Sequence, residues 1–340
     1  MQDLVGLDYN RADLRHVPGV KPEFAEVVLS AHQDPFFKAN MYANFGDVGL
    51  AIKGLVDSWR GESRTAGDFQ SIEAMASFVE NLSEYNHQQG VTYKHVTVMS
   101  ELSHAVERRQ LMAVSGVEQD LACQAASLAA HYDAVAGLLA QPGLEAGDKL
   151  RLLLLFALRY EKEGKPQVMQ LSKQLAEAGL DPASLALART LLQHCGAERR
   201  VMDLFSDRTL GSRFASLAKQ HLTGLENVYT QHSPPLVGVL ERLARGKLPE
   251  ADYPRIDRAA ASVPALQPSA QKPPRLVVVF VVGGATYEEA KAVAELNAAG
   301  ERNEGWSAGM RLLLGGTSVQ SSATFLRDLR EVATNERFAA

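Results

Sequence analysis

Two segments near the C-terminus share one plan: Leu276 to Val282 followed by Gly283-Gly284-Ala285-Thr286, and Arg311 to Leu314 followed by Gly315-Gly316-Thr317-Ser318. An apolar run stopped by a glycine pair and followed by a helical pattern is a strand, a turn and a helix. Two in succession make one βαβ unit, because parallel strands need a crossover of a dozen residues or more. The run Leu276 to Val282, rich in β-branched residues, has the character of a strand buried on both faces under helices. Thr286 is placed to cap the next helix, Glu289 three residues on completes a capping box, and the helix extends from Tyr287 to about Ala299. Ser321 or Ser322 then caps a last helix carrying Phe325, Leu326, Leu329 and Val332.

A strand-Gly-Gly-helix turn can cradle a phosphate, form an oxyanion site, or be a tight corner. No lysine follows either glycine pair, so the P-loop pattern fails, and neither turn reads G-x-G-x-x-G or G-x-S-x-G. The corner is the better reading, with Gly283, Gly284, Thr286, Gly315, Gly316 and Thr317 in structural roles. Anion binding stays open as an alternative that would make the chain a nucleotide- or anion-binding α/β protein.

Other chemistry is sparse. The 340 residues carry a net charge of -5, with 46% hydrophobic and 22% charged residues, so no basic excess points to nucleic acid. Cys123 and Cys195 are too few for a disulfide framework or a four-thiolate metal site and read as half-buried thiols. His95 and His104 stand nine apart, not at the four-residue spacing that puts two imidazoles on one metal. Glu118 and Asp120 diverge on a probable helix, and His194 and Cys195 are adjacent and point apart. These patterns predict no metal, no cofactor, no small-molecule substrate and no enzyme. The longest apolar runs, Leu152 to Leu158 and Leu276 to Val282, fall far short of the roughly 20 residues that span a bilayer, and Met1 to Arg15 is no signal peptide; a cytosolic chain is expected.

Between these features the pattern is helical. Asp3 to Ser30 reads as short strands joined by turns at Pro18-Gly19 and Pro22. Phe45, Val48, Ile52, Leu55, Val56 and Trp59 form a helical stripe, which the small polar stretch Gly61 to Gly67 should end. Apolar periodicity resumes at Ile72, and a further helix from about Thr92 puts Val96, Met99, Leu102, Ala105 and Val106 on one side, so a protruding helical hairpin is expected. Asp148 opens a strongly apolar helix, Asp181-Pro182 has the order of a helix start, Gly196 is a helix stop, and Gln267 to Pro274 reads as a linker. The fold class is therefore α/β with a large α-helical insertion, mainly α overall, a partial parallel sheet interrupted by a mostly helical region.

Val117-Glu-Gln-Asp-Leu-Ala122, Asp148-Lys-Leu-Arg-Leu-Leu-Leu-Leu155, Glu226-Asn-Val-Tyr-Thr-Gln-His232, Asp252-Tyr-Pro254 and Phe280-Val-Val-Gly-Gly-Ala-Thr-Tyr-Glu-Glu289 occur in that order. Together they resemble the SM (Sec/Munc) family of SNARE regulators, in its endosomal and trans-Golgi branch. The resemblance implies an α/β domain two interrupted by a helical domain three: residues 1–20 and 237–340 as parts of domain two, 21–236 as domain three, with the hairpin at about 45–110. Domain one and the early strands of domain two would precede residue 1, as if the chain were N-terminally truncated. It further implies binding of syntaxin-type and vesicle SNARE helices, templated by the hairpin in vesicle docking and membrane fusion, and a cytosolic protein held peripherally at Golgi and endosomal membranes without inserting. The positions that match the family's binding helix are Lys94, His95, Val96, Val98, Met99 and Leu102. Ser83 stands at the hairpin bend where some members carry proline, so the hairpin here should extend more readily. The polar stretch Glu301 to Gly309 departs from the family pattern and reads as a surface insertion. A generic helical adaptor is the other alternative.

Overall fold

A computed structural model describes residues 11–65, 72–123, 126–200, 205, 232–254 and 274–339. The chain divides into two compact units, Met1–Met112 and Ala113–Ala340. The linker at 267–273 and the quoted motif positions 226–231 lie outside the described residues.

In the first unit β1 (Arg11–Asp13) pairs antiparallel with β2 (Glu26–Val28), Arg11 opposite Val28, as the broken apolar pieces predicted. A short helix, α1 (Pro35–Asn40), follows, with Asp34 accepting the Phe37 N–H at 2.9 Å as its N-cap. The hairpin helices are α2 (Phe45–Thr65) and α3 (Ile72–Arg108). Both outrun their predicted limits. Helix α2 continues through Gly61 to Thr65, and α3 begins twenty residues before Thr92 and is unbroken across Ser83, the position where some family members carry proline. Glycine costs a helix only about 1 kcal/mol, whereas proline costs about 3 and removes a donor. Neither helix contains proline. Ala12, Leu14, Val27, Leu29, Phe37, Val98, Leu102, Ala105 and Leu111 form the core of this unit.

Helix α4 (Leu111–Cys123) starts with the last two residues of the first unit, and the second unit continues with α5 (Leu128–Leu139), α6 (Ala146–Arg159), α7 (Lys165–Glu177) and α8 (Pro182–Cys195). Helix α6 is the axis of the packing: Leu152, Leu153 and Phe156 are fully buried among Val135, Leu139, Leu171 and Leu175. Its buried Asp148 accepts from Arg151 at 2.8 Å, and Arg151 also reaches Glu118 at 3.0 Å, so the first turn of α6 is neutralised and tied to α4. Asp181 caps α8 through the Ser184 N–H at 2.8 Å. Gly196 ends α8 for want of room and not through a left-handed turn, since its φ is −66° and a Cβ there would collide with Leu192 O and Glu161 Oε1.

The sheet layer holds α9 (Pro235–Ala244), β3 (Leu276–Val281), β4 (Ala285–Thr286), α10 (Tyr287–Glu301), β5 (Arg311–Gly316), β6 (Val319–Gln320) and α11 (Ser322–Ala339). Strands β3 and β5 run parallel, Leu276 opposite Arg311 and Val281 opposite Gly316, with α10 as the crossover; β5 thus runs through Gly315 and Gly316, which were expected to stop it, because both pair with the end of β3. Val277, Val279, Leu312 and Leu314 pack against Val237 and Leu240 of α9 and Val293 and Leu296 of α10. The opposite face is bare, with Val278 67% and Phe280 64% exposed. The expectation of a strand buried on both faces is thus corrected: α9 and α10 cover one face, and none of the described residues covers the other.

The capping box of Thr286 and Glu289 is formed as predicted. Ser321 is the residue that caps α11, its Oγ accepting the Thr324 N–H at 3.2 Å. Leu326 and Leu329 of α11 join Leu187 and Leu191 of α8, whereas Phe325 and Val332 stay exposed. Nor is 301–309 a purely surface insertion. Its Ser307 is buried and donates to Leu296 O at 3.1 Å, and Trp306 packs against the sheet core.

Candidate functional site

The glycine corners answer their own question. Gly283 N–H donates to Thr317 Oγ1 at 3.0 Å, Gly284 N–H to Val281 O at 3.4 Å and Ala285 N–H to Ser318 O at 2.9 Å. The next donor, Thr286 N–H, is spent on Glu289 Oε2 at 2.8 Å, and Thr317 N–H goes to Val281 O at 3.1 Å. A phosphate cradle needs several convergent backbone donors free to meet the anion. Here the donors are already spent, those of Gly283 and Ala285 on the neighbouring segment and those of Gly284 and Thr286 on their own flanks. Gln320 completes the lock by donating to Gly283 O at 3.1 Å and to Asp328 at 2.7 Å. Gly283 and Gly284 have φ of 109° and 107°, and a Cβ on Gly284 would run into Ser318 Oγ and Gln320 Cγ. The geometry favours structural corners over the anion-binding alternative.

The thiols offer no nucleophile either. Burial pushes the Cys123 thiol up to about 11 and raises that of Cys195, so both stay protonated near neutrality. Among the described residues no group of three or more His, Cys, Asp or Glu is placed to hold a metal ion.

The stem of the hairpin is more informative, and the six positions singled out there fall into three environments. Lys94 and His95 are drawn to Asp34: its Oδ2 accepts from Lys94 Nζ and lies 2.9 Å from His95 Nε2. His95 is only 5% exposed and its ring lies 4.5 Å from that of Phe36. Val98 and Leu102 belong to the core, and Met99 packs against it. Val96 alone of the six points outward, at 40% exposure. Thus five of the six side chains look into their own unit, because residues 94–95, 98–99 and 102 follow the three- and four-residue steps of the face that meets α1 and the β1–β2 pair.

Two partners escaped the sequence reading. Asp34 is the hub of the stem, and its signal was present: Asp34-Pro35 repeats the cap-then-proline order noted at Asp181-Pro182. Tyr93 accepts the Lys21 N–H at 3.2 Å, stands 4.8 Å from the Phe24 ring and lies beneath the Lys21 ammonium at 5.0 Å. Nothing in the sequence pairs positions 21 and 93. Between α1, α2, α3 and the first strand lies an apolar cavity of about 80 Å³, walled by Phe37, Met41, Val48, Ile52, Val98 and Met99.

The Sec1 family profile matches residues 1–328. The chain belongs to the Sec1 family. It is 43% identical over 332 residues to the vacuolar protein sorting-associated protein 45 homolog of Arabidopsis thaliana, covering 97% of this chain and 55% of that protein. Vacuolar protein sorting-associated protein 45 of Homo sapiens is 37% identical over 334 residues, with the same 97% and 55% shares. Among solved structures, "SM Protein Vps45 in Complex with Qa SNARE Tlg2" superposes with a TM-score of 0.81 at 36% identity, over 98% of this chain and 56% of that one. The crystal structure of Sly1p with an N-terminal peptide of Sed5p, at 15% identity and a TM-score of 0.58, shares the fold alone. The chain therefore spans about half the length of the curated relatives it matches. Its mainly helical architecture with small parallel sheets is the Sec1-family fold.

Proposed function

We propose that this Sec1-family chain acts without catalysis as a SNARE-binding regulator of vesicle docking and membrane fusion in endosomal and trans-Golgi traffic. The observation that carries the reading is the similarity along nearly the whole chain to Vps45, a protein solved in complex with a Qa SNARE. Its partners would be syntaxin-type and vesicle SNARE helices, laid along the α2–α3 hairpin in helix-in-groove fashion. Its place would be the cytosolic side of Golgi and endosomal membranes, reached through the SNAREs; among the described residues no helix is long and apolar enough to cross a membrane.

Among the described residues of the stem, Val96 on α3 and Leu50 on α2, the latter 70% exposed, are large apolar side chains within a partner's reach without repacking. Lys94, His95, Val98, Met99 and Leu102 would support that surface from beneath. We infer the same domain division as before: 21–236 as the helical domain inserted between 1–20 and 237–340.

Capture by matched endosomal SNARE bundles tests this. The wild-type chain should bind, and Val96→Asp combined with Leu50→Asp should weaken capture at least about tenfold, a cost of roughly 1.4 kcal/mol, with the circular dichroism unchanged. Equal capture by the double variant removes the stem face from the proposal, and failure of the folded wild-type chain to take any SNARE removes the function.

A further inference from the structure

Asp34, Lys94 and His95 form a closed charge account at the point where α1 meets α3. The Asp34 carboxylate accepts three bonds: Oδ1 takes the Phe37 N–H at 2.9 Å, and Oδ2 is shared by Lys94 Nζ and His95 Nε2, the latter at 2.9 Å. The side chains of Asp34 and His95 are only 4% and 6% accessible. One negative charge thus already meets one ammonium, and a neutral imidazole completes the carboxylate's shell as an N–H donor. A second positive charge at this buried site would have no anion of its own.

Among the described residues lining this site, no other element supplies one. From β1, Arg11 lines the same cavity as His95 but is paired with Glu26 at 2.7 Å. Helix α2 contributes Val48 and Ile52 to that cavity, and α1 contributes Phe36, Phe37 and Asn40.

We propose that the Asp34–Lys94–His95 cluster is a proton-sensitive latch that holds α1, and with it the phenylalanine wall of the cavity, against the hairpin stem, and that a proton on His95 loosens it. Burial lowers the affinity of the His95 imidazole for a proton, the Asp34 carboxylate opposes this, and the Lys94 charge adds to it; the net displacement is downward. Asp34 remains ionised, since the bonds from Lys94 and the Phe37 N–H outweigh the upward pull of burial. The sign follows. With the folded value of His95 below the ordinary 6.5, the unfolded or unlatched chain binds more protons in that window, so the latched state loses stability as pH falls through about 6.5. The latch does not depend on the SNARE reading, because it concerns only how α1 is held.

Hydrogen exchange of the full chain at pH 7.5 and 5.5, corrected for the intrinsic rate, tests the latch at the amides of 36–40 and 92–99. In the wild type, protection there should fall on acidification by up to roughly tenfold, the ceiling that linkage sets for one imidazole over that range. His95→Gln keeps an N–H donor without a titratable ring, so its protection should be flat, which separates His95 from the other histidines of the unit, His16, His32, His87 and His104. An equal fall in wild type and variant overturns the latch, as does flat protection in the wild type. Should the variant not fold, the ring-proton titration of His95 in the wild type decides: a midpoint at or above 6.5 overturns the proposal, and one below it supports it.

Discussion

Leu152 to Leu158 and Leu276 to Val282 are apolar runs of the same length, yet they meet opposite fates within one unit. In α6 no residue of the run is exposed, and Leu152, Leu153 and Phe156 reach zero accessibility. In β3 every second residue stands in solvent, and Val282 just after it is 84% exposed. A helix sends seven residues around nearly two turns, so α6 is buried because packed neighbours, among them α5, α7 and α8, surround it. A strand sends them to two faces only, and helices stand against one. Apolar character alone therefore did not decide burial; the number of sides that found a neighbour did.

The comparison is sharpened first at α6. Phe156→Ala should cost about 3–5 kcal/mol, read as a lowered denaturant midpoint at unchanged slope, because it opens a cavity among close-packed side chains. At the end of the β3 run, Gly284→Ala should cost less, on the order of 1–3 kcal/mol. Its φ of 107° suits glycine, and an added Cβ has Ser318 and Gln320 in its way. A change below about 0.5 kcal/mol there would mean that the interlocked corner yields freely. The smallest effect is expected on the bare face, where Phe280→Ser should alter stability by no more than about 0.5 kcal/mol while reducing self-association in analytical ultracentrifugation. A loss for Phe280→Ser comparable to that for Phe156→Ala would break the contrast, since it would mean that the bare face is covered in solution.

The hairpin stem repeats this lesson at single residues. Val96 and Val98 are chemically identical and two positions apart, but one is exposed and the other in the core. Periodicity grouped Val96, Met99 and Leu102 on one side, and α3 does carry them within one broad arc. The edge of that arc is set by what stands opposite, which for 95, 98 and 102 is α1 and the β1–β2 pair. Asp34 reaches residues sixty positions away, a pairing that no local pattern encodes. The unbroken course of α3 across Ser83 was half legible, in that the absence of proline permitted it and the strength of the helix beyond Ile72 was underrated.

By itself the sequence determined several element ends, because caps, prolines and glycines act within a few residues: Asp181 on α8, Thr286 with Glu289 on α10, and the Gly283-Gly284 pair after β3. It also determined the βαβ pairing and the family, through ordered segments along the whole chain. Only the tertiary structure decided that one face of β3 is bare, that Gly283 and Ala285 spend their donors on Thr317 and Ser318, and that Lys94 and His95 turn inward to a carboxylate. The reason is physical: a periodic pattern fixes which residues share a face, whereas burial and charge compensation depend on which distant element arrives to cover it.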